Sequence, residues 1–319
     1  MPEICEIRRI TDKLRNRLKD QILLSINWVI GTKYSSIFDK AWSMYKHLFP
    51  TKCLDILCRG KQIFFFLENG VSFISSLGME GHWYYFKSKQ EERQPLDNYL
   101  SRTNYRKFCL YFGSQVEIDG TSWLVPDTEI WYDDMLSYGN FKVGNWNDAF
   151  SKMKELGTDL LAATTPLTDI HSTVKQYLPT EFFEIATLER FSAAIKMPRR
   201  SGMLLCVFLL KHQEIYSGCG NWLLCEVLYM SKLHPNRILG SLSDNDIQTL
   251  FFTCLNVISN GYKCGGLTHG TFLDPDMEKG HYQVLVYKRE GYYDPNGYLI
   301  KRIKVATGRS CFIVEELQK

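Results

Sequence analysis

At the start of the chain, apolar residues recur at helical spacing. Ile4, Ile7, Ile10, Leu14 and Leu18 fall on one face of residues 3–20, with charges between them, and predict a helix. From about 21 to 145 the pattern changes to short aromatic and β-branched runs: Ile63–Leu67, Val71–Ile74, Trp83–Phe86, Phe108–Phe112 and Thr128–Tyr132. Asn69-Gly70 and Asp119-Gly120 punctuate them as hairpin turns. This part reads as a sandwich or flattened barrel behind one helix. From about 160 helical spacing returns, over 181–195, 201–212, 220–233 and 243–260, with Ser243 and its acidic followers as an N-cap. Pro166 and the polar stretch before Pro179 suit a linker. After Gly265-Gly266, Val284–Tyr287 and Ile300–Val305 flank the turn Asp294–Gly297 and predict a small basic β-hairpin. The class is α+β, with boundaries at 1–160, a linker over 161–178, a helical unit over 179–282 and a terminal hairpin over 283–319.

Composition narrows the options modestly. The 319 residues, 45% hydrophobic and 23% charged, are those of a globular chain able to bury its own core. No stretch approaches the roughly 18–20 apolar residues of a membrane span, and no signal peptide is expected. The net charge of +3 neither requires nor excludes nucleic acid. Local clusters say more: Arg8, Arg9, Lys13, Arg15, Arg17 and Lys19 at one end, and Lys288, Arg289, Lys301, Arg302, Lys304, Arg309 and Lys319 at the other. Each is either a solvated face or an anion-binding one. Ten cysteines without a C-x-x-C spacing predict reduced, buried thiols in an intracellular, reducing compartment, and no cysteine-built zinc site.

Three segments could carry chemistry. In Met1-Pro2-Glu3, removal of Met1 would leave Pro2 as a secondary amine. An α-amino group has a pKa of about 8, so part of it is uncharged and nucleophilic at neutral pH. Glu3 beside it could move protons. Many chains open this way for no chemical reason. In Ser217-Gly218-Cys219-Gly220-Asn221-Trp222 a glycine turn opens a helix, whose free N–H groups and the Asn221 amide suit a phosphate; an ordinary capped helix has the same look. Arg309, after Gly308 on the basic hairpin, is either a surface arginine or a bidentate phosphate ligand.

Taken in order, these segments closely resemble the formamidopyrimidine-DNA glycosylase/endonuclease VIII (Fpg/Nei) family. Pro2-Glu3…Glu6 is similar to its opening Pro-Glu-x-Pro-Glu, with Cys5 for the second proline. Arg59-Gly60-Lys61, Leu77-Gly78-Met79-Glu80-Gly81 and Leu156-Gly157-Thr158-Asp159 resemble three further motifs. Ser217–Pro235 resembles the helix–two-turns–helix signature, and Val286–Gly291 with Thr307–Ser310 resembles the finger. The resemblance implies a bifunctional glycosylase and AP lyase acting on damaged DNA, double- or single-stranded, as a monomer without cofactor. It would pair a catalytic N-terminal sandwich with a helical DNA-binding unit and a finger. Pro2 would be the nucleophile and Glu3 the general acid/base. Lys61 would bind phosphate near the lesion, Met79 would fill the gap left by the flipped nucleotide, and Asn221 and Arg309 would clamp flanking phosphates.

Three departures shape the expectation. The finger has no four-cysteine set, since Cys311 stands alone there, so it resembles the zincless finger of some Nei-like members. The loop that usually supplies an Arg-Arg-Phe wedge reads Asp133–Gly139, with Tyr138 standing for the aromatic and no arginine. Cys5 replaces a proline beside the nucleophile. Oxidised pyrimidines and hydantoins are the expected substrates; an Fpg-like 8-oxoguanine/formamidopyrimidine glycosylase and a non-catalytic damaged-DNA-binding module are the alternatives.

Overall fold

The structure, a computed structural model, describes residues 2–85, 105–268 and 272–319. Phe86, the end of the apolar run Trp83–Phe86, lies outside the described residues. The N-terminal helix is α1 (Ile4–Leu18), and its five periodic apolar residues are all buried. Each such burial contributes about 1.5–3 kcal/mol. Among the described residues eight strands follow: β1 (Ile22–Trp28), β2 (Thr51–Arg59), β3 (Gln62–Leu67), β4 (Val71–Ser76), β5 (Gly81–Tyr85), β6 (Arg106–Ile118), β7 (Thr121–Asp134) and β8 (Asn140–Asn145). They form one ladder in the order β5-β7-β6-β1-β2-β3-β4-β8. Asp119-Gly120 turns β6 into β7 with φ of 50° and 73°, the left-handed pair a two-residue hairpin requires.

The ladder folds over into two layers. Trp83, on the outer strand β5, lies 5.6 Å from Phe65 on β3 and 6.1 Å from Phe141 on the opposite outer strand β8. The unbroken apolar run of β3 is explained by its two covered faces. Ile63, Phe65 and Leu67 enter this inner core with α1, whereas Phe64 and Phe66 pack outward on α3 (Trp146–Glu155).

One element in this half departs from the strand pattern. Lys33–Tyr45 forms a helix, α2, within the stretch read as strands. Tyr34, Phe38 and Ala41 are its buried residues, at the i, i+4, i+7 spacing of a helix face. Phe38 stacks on Trp28 at 5.5 Å and meets Phe108 at 4.7 Å, covering the flank of the sandwich.

The N-terminal basic cluster is mostly consumed in stitching the fold. Arg9 pairs with Asp274 (2.6 Å) and Glu278 (2.9 Å), Lys13 with Asp276 (2.7 Å), and Arg15 with Asp55 (2.5 Å). Arg8 and Arg15 also donate to the carbonyls of Thr165, Thr168 and Asp169, strapping that stretch along α1. These cations therefore serve packing, and neither of the two faces expected of the cluster fits.

The second half packs α5 (Leu188–Ile195), α6 (Leu205–Lys211), α7 (Asn221–Met230) and α8 (Asp244–Lys263) around its own core, after the short α4 (Ser172–Tyr177). The predicted helix over 181–195 begins late, because Thr187 caps α5 by accepting from the Arg190 amide. Ser243 caps α8 as expected, and Asp246 returns the bond to the Ser243 amide. A parallel pair, β9 (Thr158–Asp159) with β10 (Tyr216–Ser217), links the halves. Ile4 and Cys5 belong to this second core, whereas Ile7 to Leu18 belong to the first, so the first turn of α1 sits where the two meet.

The terminal hairpin differs from its prediction. Its strands are β11 (Lys301–Lys304) and β12 (Ser310–Ile313), so the turn lies at Val305–Arg309 and not at Asp294–Gly297. Val284–Tyr287 is not a strand; its amides are capped by a side chain, described below. Among the described residues no helix is long and apolar enough to cross a membrane. All ten cysteines are free thiols, buried except Cys264.

Candidate active site

Pro2 and Glu3 are both buried at the meeting of the two cores. Glu3, only 1% exposed, lies against the start of α7. Its carboxylate accepts from the amides of Gly220 (2.7 Å), Trp222 (2.9 Å) and Leu223 (3.3 Å). The N–H groups that the glycine turn frees are thus taken by Glu3 and not by a phosphate, which corrects the sequence expectation for that turn. A carboxylate at a helix N-terminus satisfies the donors the helix cannot, and meets the positive end of its dipole. Ile4 N–H adds a bond to the Gly218 carbonyl (3.2 Å).

Lys61 reaches the same point from the turn between β2 and β3. A Cβ placed on Gly220 would lie 2.3 Å from the Glu3 carboxyl carbon and 2.6 Å from Lys61 Nζ. The carboxyl and the ammonium therefore close over a position that only glycine can occupy. Burial raises the Glu3 pKa, opposed by the Lys61 charge and the three amides. A carboxyl so placed holds a proton more readily than a free glutamate, as a proton donor must.

Glu6, quoted in the opening motif but not given a role there, is the second buried carboxyl. It accepts from the amides of Glu3 (2.9 Å) and Leu267 (3.1 Å). Burial, then the neighbouring Glu3 charge, push its pKa up to about 7. An acid whose folded pKa lies above its unfolded value favours folding when protonated. Its contribution is therefore fully present below pH 4.5 and is lost as pH rises through about 7. The expected loss is on the order of 3 kcal/mol. Denaturant titrations from pH 4.5 to 8 should show this fall, and Glu6→Gln should flatten it; an unchanged slope in the variant would contradict the assignment.

Cys5 faces away from the reacting end. Its thiol donates to the Ile258 carbonyl (3.2 Å), and burial raises its pKa well above that of a free thiol.

Met79 and Tyr138 come together on adjacent loops. A Cβ on Gly78, whose φ is +58°, would stand 2.4 Å from the Tyr138 carbonyl carbon, so the two loops touch backbone to backbone. Met79, Met135, Leu136 and Tyr138 form an exposed apolar ridge there. The ridge is held from behind by α2. Tyr34 donates to Asp134 (2.6 Å), Asp134 accepts from the Gly139 amide (2.8 Å), and the Lys33 ammonium donates to the Ser137 and Gly139 carbonyls. Sequence reasoning missed these supports because it missed α2.

Asn221 and Arg309 also converge. Asn221 Nδ2 donates to the Ser310 carbonyl (2.8 Å), which sets it beside the exposed Arg309. The hairpin beneath them is anchored by Glu226, which accepts from the amides of Leu285 (2.7 Å), Val286 (3.0 Å) and Tyr287 (2.9 Å). Asp294 holds the second turn through Tyr229 (2.8 Å) and the amides of Asn296 and Tyr298. The Cys225 and Cys311 thiols touch at 3.5 Å inside. Among the described residues no group of three or more His, Cys, Asp or Glu is placed to hold a metal ion.

The family model described as the formamidopyrimidine-DNA glycosylase N-terminal domain matches residues 1–129. Over the whole chain, the protein is 26% identical to the formamidopyrimidine-DNA glycosylase of Mycoplasma mobile and 27% identical to that of Desulforamulus reducens, in each case covering 99% of the relative. The Lactococcus lactis Fpg, solved with DNA containing an abasic site, superimposes with a TM-score of 0.74 at 20% identity over 99% of both chains. A mutant of that Fpg, solved with Fapy-dG-containing DNA, gives 0.74 at 21% over the full length of both. These likenesses show the fold. The class defined is the DNA glycosylases of base excision repair. Within it, the chain is similar to the formamidopyrimidine-DNA glycosylases, through the match of their N-terminal model to residues 1–129 and through relatives of that name over its full length.

Proposed function

We propose that the protein excises oxidised pyrimidines and hydantoins from DNA through the Pro2 amine and then nicks the strand. The observation that carries this reading is the buried Glu3 carboxyl, adjacent to Pro2 in the chain and clamped between the α7 amides and Lys61. The target nucleotide leaves the stack, because C1′ is inaccessible inside a duplex. The Pro2 nitrogen bonds to C1′ as the glycosidic bond breaks, and the base departs with the bonding electrons and a proton supplied through Glu3. The Pro2 nitrogen then gives up its proton and the sugar ring opens at C1′–O4′, with a proton delivered to O4′, which leaves an iminium that acidifies the C2′ hydrogen. Its loss expels the 3′ phosphate, and a second elimination expels the 5′ phosphate. Lys61 neutralises phosphate charge near the lesion.

The exposed ridge of Met79 and Tyr138 fits the gap left by the flipped nucleotide, and Asn221 with Arg309 fits the flanking phosphates. Residues 1–160 would then supply the chemistry and 179–319 most of the grip, joined through 161–178. The finger fits a zincless one, held by Glu226, Asp294 and apolar packing. Arg309→Ala should weaken binding to all sequences alike and reduce the slope of log K against log salt by about 0.9, one phosphate's worth, in fluorescence anisotropy titrations. An unchanged slope would remove Arg309 from the interface.

The Nei-like substrate class rests on the arginine-free loop Asp133–Gly139, the segment Leu77–Trp83 and the finger. A second reading is excision of formamidopyrimidines and 8-oxoguanine, and the names of the relatives favour its formamidopyrimidine part. A cleavage panel with dihydrouracil, thymine glycol, guanidinohydantoin and 8-oxoguanine, each opposite all four bases and in single strands, separates the two. Without a wedge arginine to read the opposite base, rates should vary little across partners and persist in single strands. Cleavage confined to 8-oxoguanine opposite one base would overturn the Nei-like reading.

A further inference from the structure

The β6–β7 hairpin outruns the sheet that supports it. On one side β1 pairs with β6 only as far as Gly113; on the other the described residues of β5 pair with β7 as far as Ile130. Beyond those points, among the described residues, the two strands pair only with each other as far as the turn at Asp119-Gly120, as an arm with no described strand on either edge. Every residue from 115 to 127 is exposed.

The register sorts the arm's side chains onto two faces. Val116 is paired with Trp123, Ser114 with Val125, and Ile118 with Thr121, so these six share one face. Gln115, Glu117, Ser122 and Leu124 point the other way. The first face is therefore an apolar one that no layer of the described residues covers. Trp123 is 56% exposed, Ile118 52%, Val125 40% and Val116 39%. A sheet face with this alternation belongs against another layer.

The charge around it selects what that layer is. From Phe108 to Phe141 the chain contains no lysine or arginine, and the arm's charges are Glu117, Asp119 and Asp127, all exposed. Such a rim repels phosphate, so the arm is not a second DNA grip. Along β7 the turn stands roughly 40 Å from Asp134 and the ridge beside it, at about 3.3 Å per residue, which leaves the arm free while DNA is held. A second copy of the chain is also disfavoured. A twofold contact would set acidic tip against acidic tip.

We infer that the arm is a docking site for another protein, one presenting an extended apolar segment flanked by lysine or arginine. Its open edges would add the segment as a third strand, Trp123 and Ile118 would bury its apolar side chains, and Glu117, Asp119 and Asp127 would meet its cations. The probe is a fluorescein-labelled ten-residue peptide alternating valine with lysine, titrated into the full-length protein, beside the same peptide with glutamate for lysine. The lysine peptide should bind at least about tenfold more tightly, and the double variant Trp123→Ser, Ile118→Ser should lose at least about tenfold of that affinity while cleaving abasic-site DNA at the native rate. Bound peptide should slow amide exchange over residues 114–125. Equal affinity for both peptides, or no loss in the variant, would overturn the proposal. So would a native dimer that the double variant dissociates, or loss of single-strand DNA affinity in the variant.

Discussion

Glu3→Gln should lower base excision by at least about 100-fold, the range removed with a general acid, while leaving strand cleavage at a preformed abasic site far less affected. The difference follows from what each step needs. Expelling a base requires a proton at the leaving group or sugar ring. An abasic site already presents an aldehyde to the Pro2 amine. The substitution also disturbs the fold, because a glutamine nitrogen would face some of the amides of Gly220, Trp222 and Leu223. An unsatisfied buried donor costs about 1–3 kcal/mol, so thermal unfolding should be measured beside activity. Equal loss on intact lesions and abasic sites, with an unchanged melting temperature, would move Glu3 out of the proton-transfer role.

Gly220→Ala should be nearly as damaging, although it adds one methyl group and removes no functional atom. That methyl would sit 2.3 Å from the Glu3 carboxyl carbon and 2.6 Å from Lys61 Nζ. Gly220 has φ of −130°, an extended conformation any residue adopts, so the effect is steric and not conformational. Either the carboxyl leaves the α7 amides or the ammonium retreats. Overpacking of this kind costs about 1–3 kcal/mol of stability, and displacing catalytic groups by about 1 Å can cost about 100-fold in rate. Single-turnover rates on a lesion-containing duplex would show this. Native rates would mean that the carboxyl and ammonium do not act from the positions seen.

The sequence showed the parts of the site more clearly than their wiring. Pro2, Glu3 and Lys61 were legible as residue types in motifs, as were Asn221 and Arg309. What the motifs concealed was who satisfies whom. The glycine turn before α7 has the look of a phosphate cradle, and nothing in its own residues says that a carboxylate more than 200 residues away fills it. The basic face of α1 has the look of a binding surface because its acidic partners, Asp274, Asp276 and Glu278, lie at the far end of the chain. The helix α2 did carry a signal, in the spacing of Tyr34, Phe38 and Ala41. Its aromatic content matched the strands on either side, and so the period was overlooked. The terminal hairpin was misplaced because Asp294–Gly297 is a true turn, but one built on side-chain bonds from Asp294 and not on paired strands.

The central claim is covalent chemistry at Pro2, and borohydride trapping tests it most directly. The purified protein is mixed with DNA containing an abasic site and reduced, and the adduct is digested and mapped by mass spectrometry. A covalent protein–DNA species joined through the Pro2 nitrogen, absent in Pro2→Gly, is the predicted result. No adduct with the native protein, or one mapped to Lys61, would contradict it.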